Sequence, residues 1–121
     1  MAGSWATPVR KVFSPGTSVS KIILECTFTG DAAAGTVPNL TINAEAQGIL
    51  GWHLYSVETN PGSTGPTADY DITILDEDSC DIAFSLLLDR HTSTTQMVNM
   101  IAATPTREYP VIRGDLTVAV A

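Results

Sequence analysis

The chain has 121 residues and a mass of 12.8 kDa, the size of one domain. Its 44% hydrophobic and 16% charged residues are typical of a folded globular protein and exclude a disordered chain. Six lysines and arginines against 13 acids give a net charge of −7, which repels phosphate backbones and anionic lipid. We therefore expect no direct binding of nucleic acid or membranes.

The acidic residues are unevenly distributed along the chain. Residues 61–121 carry nine acids against three arginines, whereas residues 1–60 are nearly balanced. This asymmetry fits either a surface that meets a basic partner or a solvated acidic face.

The cysteines and the N-terminus exclude further classes of protein. Cys26 and Cys80 are too few for a disulfide framework or a four-cysteine zinc site, and their apolar neighbours predict that both are buried. The first residues lack the cationic start and apolar core of a signal peptide, and no stretch approaches the roughly 18 apolar residues of a membrane span. Neither export nor membrane insertion is expected.

We interpret residues 1–17 as an N-terminal arm or edge segment and residues 18–121 as a single β-sandwich domain. Pro8 cannot donate a ladder hydrogen bond, so residues 8–13 suit an edge strand or an extended arm. A turn is expected at residues 14–17, which include Pro15 and Gly16. Residues 18–29 then alternate as a strand with one buried face, formed by Ile22, Leu24, Cys26 and Phe28.

The middle of the chain predicts two more strands. Residues 39–42 favour a strand followed by an irregular or helical turn. Residues 52–59 alternate with both faces at least half apolar, which predicts a central strand. Two prolines and two glycines in residues 60–67 indicate a long structured loop.

The second half predicts a hairpin and a terminal strand pair. Residues 70–75 alternate as a strand, an acidic turn follows at 76–79, and residues 80–84 return as the second strand of a β-hairpin. Residues 85–90 extend that strand or begin a helical turn, and residues 96–103 fit either a strand or a helix. Strands are expected at 111–113 and 116–121. The pattern predicts an all-β fold with at most one or two short helices, an antiparallel β-sandwich or small barrel.

The candidate catalytic groups are few. The only histidines, His53 and His91, stand outside any H-E-x-x-H motif, and no serine lies in a G-x-S-x-G elbow. His91 follows Asp89 and Arg90, which makes an Asp–His pair one interpretation, but neighbours in sequence alternate between the faces of a strand and we do not expect a catalytic role. We expect no enzyme activity and no cofactor.

The acidic segment from Asp69 to Asp81 is the most site-like string. Counted from Asp76 as an EF-hand loop, position six is Asp81 instead of glycine and position twelve is Leu87 instead of glutamate. Two interpretations remain: a different calcium site at the tip of the hairpin, or a turn whose acids bind their own backbone.

Several aromatic and apolar residues flank prolines or lie near strand ends, where one domain has difficulty burying all of them. They are candidates for a protein interface, with burial in the domain's own core as the alternative. These residues are Trp5, Val9, Phe13, Tyr55 and Tyr109.

A group of short segments between Gly51 and about Thr95 forms a recognisable pattern. The segments are Asn60-Pro61-Gly62, Pro66-Thr67-Ala68-Asp69-Tyr70-Asp71-Ile72-Thr73, Asp76-Glu77-Asp78, Asp81-Ile82 and residues 90–95. In these segments the sequence resembles a family of small virion proteins of tailed bacteriophages. The resemblance covers somewhat over a third of the chain and has no catalytic motif. The sequence departs from the family pattern at Ser79-Cys80 and at residues 84–88.

The resemblance implies a structural particle component made in the bacterial cytoplasm and located on the virion. The first hypothesis is a capsid decoration (cement) protein, expected as a homotrimer that binds the major capsid protein or other virion proteins. A tail, neck or fibre component is the second hypothesis. A carbohydrate-binding β-sandwich that uses Trp52, Tyr55 and calcium at the acidic turn is the third.

Overall fold

The computed structural model describes residues 3–14, 16, 21–30, 37–62, 70–100 and 109–121. These residues contain nine strands and no helix, so the prediction of an antiparallel all-β fold is confirmed, and the strands close no barrel. The strands are β1 (Ser4–Trp5), β2 (Val9–Phe13), β3 (Lys21–Glu25), β4 (Phe28–Thr29), β5 (Leu40–Ile42), β6 (Ser56–Thr59), β7 (Ile72–Leu75), β8 (Gln96–Asn99) and β9 (Leu116–Val120).

The N-terminal strands form one two-stranded ribbon. β2 pairs with β3, β1 pairs with β4, and the Ala6 amide joins the two pairs by donating to the Thr27 carbonyl at 2.8 Å. Along β3 and β4 exposed and half-buried residues alternate, and the predicted inner face packs against the core. All five residues of β2 are exposed. We call residues 4–13 with 21–29 the ribbon.

A three-stranded antiparallel sheet holds the centre of the core. Its order is β5-β9-β7, with the C-terminal strand in the middle. The alternation expected for residues 70–75 is confirmed, because Tyr70, Ile72 and Ile74 are all buried. Ile42 of β5 and Leu116 of β9 complete this buried face. The strand expected at 39–42 is confirmed as β5, with turns after Asn43.

The prediction of a central strand over residues 52–59 is wrong. Only β6 is a regular strand there, and among the described residues it pairs with β8 alone. The preceding residues instead bond to the C-terminal segment, since the Leu54 amide donates to the Pro110 carbonyl at 2.8 Å. One side of this segment is exposed at His53 and Tyr55, because alternation alone does not reveal which face another element covers.

One open alternative and one predicted strand are resolved within the described residues. β8 makes residues 96–99 a strand and not a helix, while residues 101–103 lie outside the described ranges. Of the expected strand at 111–113, Val111 alone forms a bridge, with His53, so that prediction is wrong in extent. Parts of the turn at 14–17 and of the loop at 60–67 also lie outside the described ranges.

The hairpin predicted for residues 70–84 is only half correct. The chain turns back after β7, but residues 82–87 form consecutive turns in place of a strand, with positive φ angles at Phe84 and Ser85. A single bridge joins Leu75 to Asp81. This turn segment still covers β7 with apolar groups, because Leu87 is completely buried and its carbonyl accepts the Ile72 amide at 2.9 Å.

One hydrophobic cluster joins the sheets. It includes the fully buried Leu87 and Met100, and half-buried residues of β3, β4, β6 and β8 pack against it. None of the described segments is a helix with the length and apolar character needed to cross a bilayer.

Candidate functional site

The five interface candidates fall into two groups by exposure. Val9, Phe13 and Tyr55 are exposed, with 51%, 42% and 61% of their surface accessible. Trp5 and Tyr109 are half-buried. The exposed members lie on two separate surfaces, the ribbon and the segment before β6.

Trp5 attaches the ribbon to another part of the same chain. Its ring lies 5.1 Å from the Phe28 ring, centroid to centroid, and its indole Nε1–H donates to the Pro38 carbonyl at 2.5 Å. Both contacts are intramolecular, so Trp5 positions the ribbon instead of projecting from it.

A second contact fastens the inner side of the ribbon. Arg10 Nε donates to the Gln47 carbonyl at 2.7 Å, within the turn that follows β5. Gly48 has a φ of +68°, and a Cβ there would lie 3.2 Å from the Arg10 guanidinium. Glycine at position 48 therefore suits both the left-handed turn and the close approach of Arg10.

The outer face of the ribbon mixes apolar and charged side chains. Lys11 forms an ion pair with Glu25 at 2.6 Å, and Lys21 Nζ lies 4.7 Å from the centre of the Phe13 ring. Ile23, 36% exposed, lies opposite Lys11 on this face, and Val9 lies opposite Glu25. Sequence reasoning missed Ile23, although its place between Ile22 and Leu24 already put it on the face opposite the buried one.

A second exposed patch is built around two tyrosines. The bridge between His53 and Val111 brings Tyr55 beside Tyr109, with ring centroids 4.7 Å apart. Partial desolvation, followed by the hydrogen bond and charge of Tyr55, raises the pKa of Tyr109 above its ordinary value. Sequence reasoning missed Met97 on β8, which is 65% exposed and lies opposite Glu58 of β6.

The acidic turn uses its carboxylates to bind its own backbone. Asp76 Oδ1 accepts the amides of Asp78 and Cys80, both at 2.9 Å. Asp81 accepts three amides: Ile74 at 3.2 Å and Ala83 at 3.0 Å through Oδ1, and Ser85 at 2.9 Å through Oδ2. Of the two interpretations of this segment, these bonds fit the self-bonded turn. The described residues contain no group of three or more His, Cys, Asp or Glu side chains placed to hold a metal.

An open depression of about 300 Å³ lies beside this turn. Three acids and one arginine line it, and the half-exposed Leu50 supplies an apolar part. One of its carboxylates is structural, since Asp115 Oδ1 accepts the Ala44 amide at 3.1 Å. The lining residues are Asn43, Glu45, Leu50, Glu77, Arg113, Gly114 and Asp115.

The histidines are exposed and do not form a reactive pair with Asp89. His91 Nδ1 accepts the amides of Ser93 and Thr94, both at 3.0 Å, and lies 3.3 Å from Ser93 Oγ. With Nδ1 already accepting two backbone donors, the ring of His91 stabilises its own loop. His53 contributes its backbone to the bridge with Val111.

The two cysteines differ in environment, and the prediction that both are buried is wrong for Cys80. Cys26 is half-buried, and desolvation raises the pKa of its thiol. Cys80 is exposed because it lies in the acidic turn, whose amides and carboxylates hold it at the surface.

Comparison with protein-family models, with curated proteins and with solved structures finds no match to this chain.

Proposed function

We propose that this chain is a capsid decoration (cement) protein of a bacteriophage, which binds between major capsid subunits and stabilises the assembled head. One observation carries the proposal: the ribbon is a firmly held element whose outer strand exposes every residue, apolar ones included. Exposed apolar surface on a folded domain is typical of a site that another polypeptide covers. The resemblance of residues 51–95 to small virion proteins supplies the biological setting.

The roles of the polar groups also support a structural task. Asp76, Asp81 and His91 accept backbone amides, so these groups hold loops in place. The ribbon and the tyrosine patch expose Phe13 and Tyr55, and aromatic side chains are enriched in protein interfaces. The proposal therefore includes no catalytic step.

Decoration would stabilise the head by mass action. A protein that binds the assembled lattice and not its free subunits stabilises that lattice by RT ln(1 + [L]/Kd), about 2.7 kcal/mol per site at a hundredfold excess over Kd. Because each bound copy stabilises its own site independently, the stabilisation of the whole head grows with the number of copies bound. We propose a homotrimer as the binding unit.

The proposal is tested by binding to capsids that lack decoration. We expect the wild-type chain to bind in hundreds of copies per head and to raise the temperature at which the heads break open. The double variant Val9→Asp/Ile23→Asp places charges on the outer face of the ribbon and should abolish binding. Leu88→Asp is the matched control, because Leu88 is 37% exposed, much like Ile23, but lies in the turn segment after β7.

Two results would overturn the proposal. A copy number near a dozen, in rings, would assign the chain to the neck or tail. Unchanged head binding by the ribbon variant, with a far-ultraviolet circular dichroism spectrum like that of the wild type, would remove the ribbon from the interface.

A further inference from the structure

The tyrosine patch brings together two of the three tyrosines of the chain. The Leu54 amide donates to the Pro110 carbonyl at 2.8 Å, within an antiparallel contact between the two segments. The register of this contact puts Tyr55 opposite Tyr109, on the same face of the two segments. The backbone therefore holds the two phenol side chains next to each other.

The local sequence favours this juxtaposition. A proline disfavours the helical conformation of the residue before it, so Pro110 keeps Tyr109 extended. Because the neighbouring pair, Leu54 and Pro110, is the one that shares a hydrogen bond, the two tyrosines occupy a non-hydrogen-bonded pair of positions. Facing side chains approach most closely at such positions.

The rings are close and their hydroxyl groups interact. The ring centroids are 4.7 Å apart with an angle of 32° between the ring planes, at the near end of the usual range for aromatic pairs. Partial desolvation, and then the hydrogen bond with Tyr55, raise the pKa of Tyr109. Tyr55 is 61% exposed, so a reagent in solution can reach the pair.

We propose that Tyr55 and Tyr109 form a modification site, at which oxidation joins the two rings into dityrosine within one chain. The bond of dityrosine connects the ring carbons that lie beside the hydroxyl groups, so the two hydroxyls of the product are neighbours. The paired rings and interacting hydroxyls of this structure already approximate that arrangement. The inference goes beyond the proposed function and does not depend on it.

The reaction needs an oxidant, for which hydrogen peroxide acting through a haem peroxidase suffices. Each phenol loses one electron and one proton, and the two phenoxyl radicals pair their electrons in the new carbon–carbon bond. Each bonded ring carbon then releases its hydrogen, which restores the hydroxyl of the same ring. In sum, two phenols and one hydrogen peroxide give one dityrosine and two waters.

The cross-link would connect distant parts of the chain. Tyr55 and Tyr109 are 54 positions apart in the sequence, directly before β6 and in the segment that leads to β9. A covalent link that closes a long loop restricts the unfolded chain more than the folded one. We expect the cross-linked protein to melt about 10 °C above the unmodified protein.

Oxidation of the full chain at about 1 μM tests the proposal, because proximity then favours the intramolecular reaction over coupling between chains. Treatment with haem peroxidase and hydrogen peroxide should give a monomer that has lost two hydrogen atoms and emits the blue fluorescence of dityrosine. The mass is measured after reduction with dithiothreitol, which reverses any disulfide of Cys26 or Cys80 but leaves the carbon–carbon bond intact. Peptide mapping should find the link between Tyr55 and Tyr109.

Three conservative variants assign the site. Tyr55→Phe and Tyr109→Phe each keep a ring in place but remove one phenol, so each should lower the yield of the intramolecular link about tenfold or more. Tyr70→Phe is the matched control, because Tyr70 is the third tyrosine and is only 5% exposed. It should react as the wild type does, and circular dichroism establishes that all three variants are folded.

Several results would overturn the proposal. One is a wild-type chain that forms cross-links between molecules but no link within the monomer. Another is an equal yield of the intramolecular link in concentrated urea, since the folded structure would then not position the rings. A link that persists in Tyr55→Phe or Tyr109→Phe would also overturn it. Binding to capsids plays no part in these measurements, so the proposed function stands or falls separately.

Discussion

At the scale of single residues, aspartate side chains accept backbone amides in the segment where the second strand of the hairpin was expected. Asp81 accepts three backbone amides and Asp76 accepts two, while Asp71 Oδ1 accepts the Asp89 amide at 2.8 Å. The segment after β7 is therefore held by carboxylates in addition to backbone bonds such as that from the Ile82 amide to the Ile74 carbonyl. Each such acceptor satisfies amides that would otherwise lose their partners on folding.

Asp81→Ala should lower the free energy of unfolding by about 2 kcal/mol, because it leaves three amides without their acceptor in a half-buried turn. Asp81→Asn should lose less, since its remaining oxygen can still accept the Ile74 and Ala83 amides. Urea denaturation followed by circular dichroism measures both changes.

Asp78→Ala is the control for this prediction. The Asp78 side chain is exposed, and the turn uses its backbone, whose amide donates to Asp76. The control should change the free energy of unfolding by less than about 0.5 kcal/mol. Equal effects of Asp78→Ala and Asp81→Ala would mean that the loss reflects charge and not the hydrogen bonds to the backbone.

At the scale of elements, the ribbon depends on its attachments. Two strands alone are marginally stable in water, and within the described residues neither β2 nor β3 has a second neighbour in a sheet. The hydrogen bonds of Trp5 to Pro38 and of Arg10 to Gln47, together with the packing of the ribbon's inner face against the core, therefore hold the ribbon to the body.

Trp5→Ala should loosen the ribbon before it unfolds the domain. Loss of the half-buried indole should destabilise the protein by about 2 kcal/mol, below the range for a fully buried tryptophan. Amide hydrogen exchange should accelerate at residues 9–13 and 21–25 while β9 stays protected. Trp5→Phe keeps a ring against Phe28 but loses the hydrogen bond to Pro38, so its loss of protection should lie between those of the wild type and Trp5→Ala.

Met97→Ala serves as the control, because Met97 is 65% exposed on β8, outside the ribbon. Its exchange pattern should equal that of the wild type. Uniform acceleration across all strands in Trp5→Ala would contradict the assignment of Trp5 as an attachment of the ribbon.

The strands that could be predicted are those with one face against the core. In β3 and β7 every second residue is apolar, and a period of two suffices to identify both the strand and its buried face. The hairpin after β7 could not be predicted in full, because the conformation of its second half depends on the hydrogen bonds that Asp81 accepts from the Ile74 and Ser85 amides, on either side of the turn. Composition does not indicate which backbone amides will donate hydrogen bonds to a given carboxylate.

The candidate surface could be predicted only in part, for a related reason. Alternation shows which residues share a face but not whether another element covers that face. Val9, Phe13 and Tyr55 are exposed, whereas Trp5 is engaged by Pro38 from a part of the chain 33 residues away. The exposure of Met97 depends on the pairing of β6 with β8, which also joins distant parts of the chain.

At the scale of the whole molecule, the excess of acids produces self-repulsion that the fold has to withstand. Most acids lie in the second half of the chain, and the cations are concentrated in the ribbon. Salt that screens this repulsion should stabilise the folded state.

We predict that the response to salt is not specific for calcium. Sodium chloride should raise the melting temperature of dilute protein by about 2 °C through screening. Calcium and magnesium chloride at the same ionic strength should give equal shifts, and EDTA should have no effect. The reason is that Asp76 and Asp81 already use their oxygens as acceptors for backbone amides, so a cation would have to displace those bonds.

Differential scanning fluorimetry in matched salts measures these shifts in melting temperature. Asp78→Asn serves as a variant that removes a carboxylate free of such bonds. A calcium shift several degrees above the magnesium shift would contradict the prediction, and it would favour a calcium-dependent carbohydrate-binding module, with Tyr55 beside the sugar, over a decoration protein.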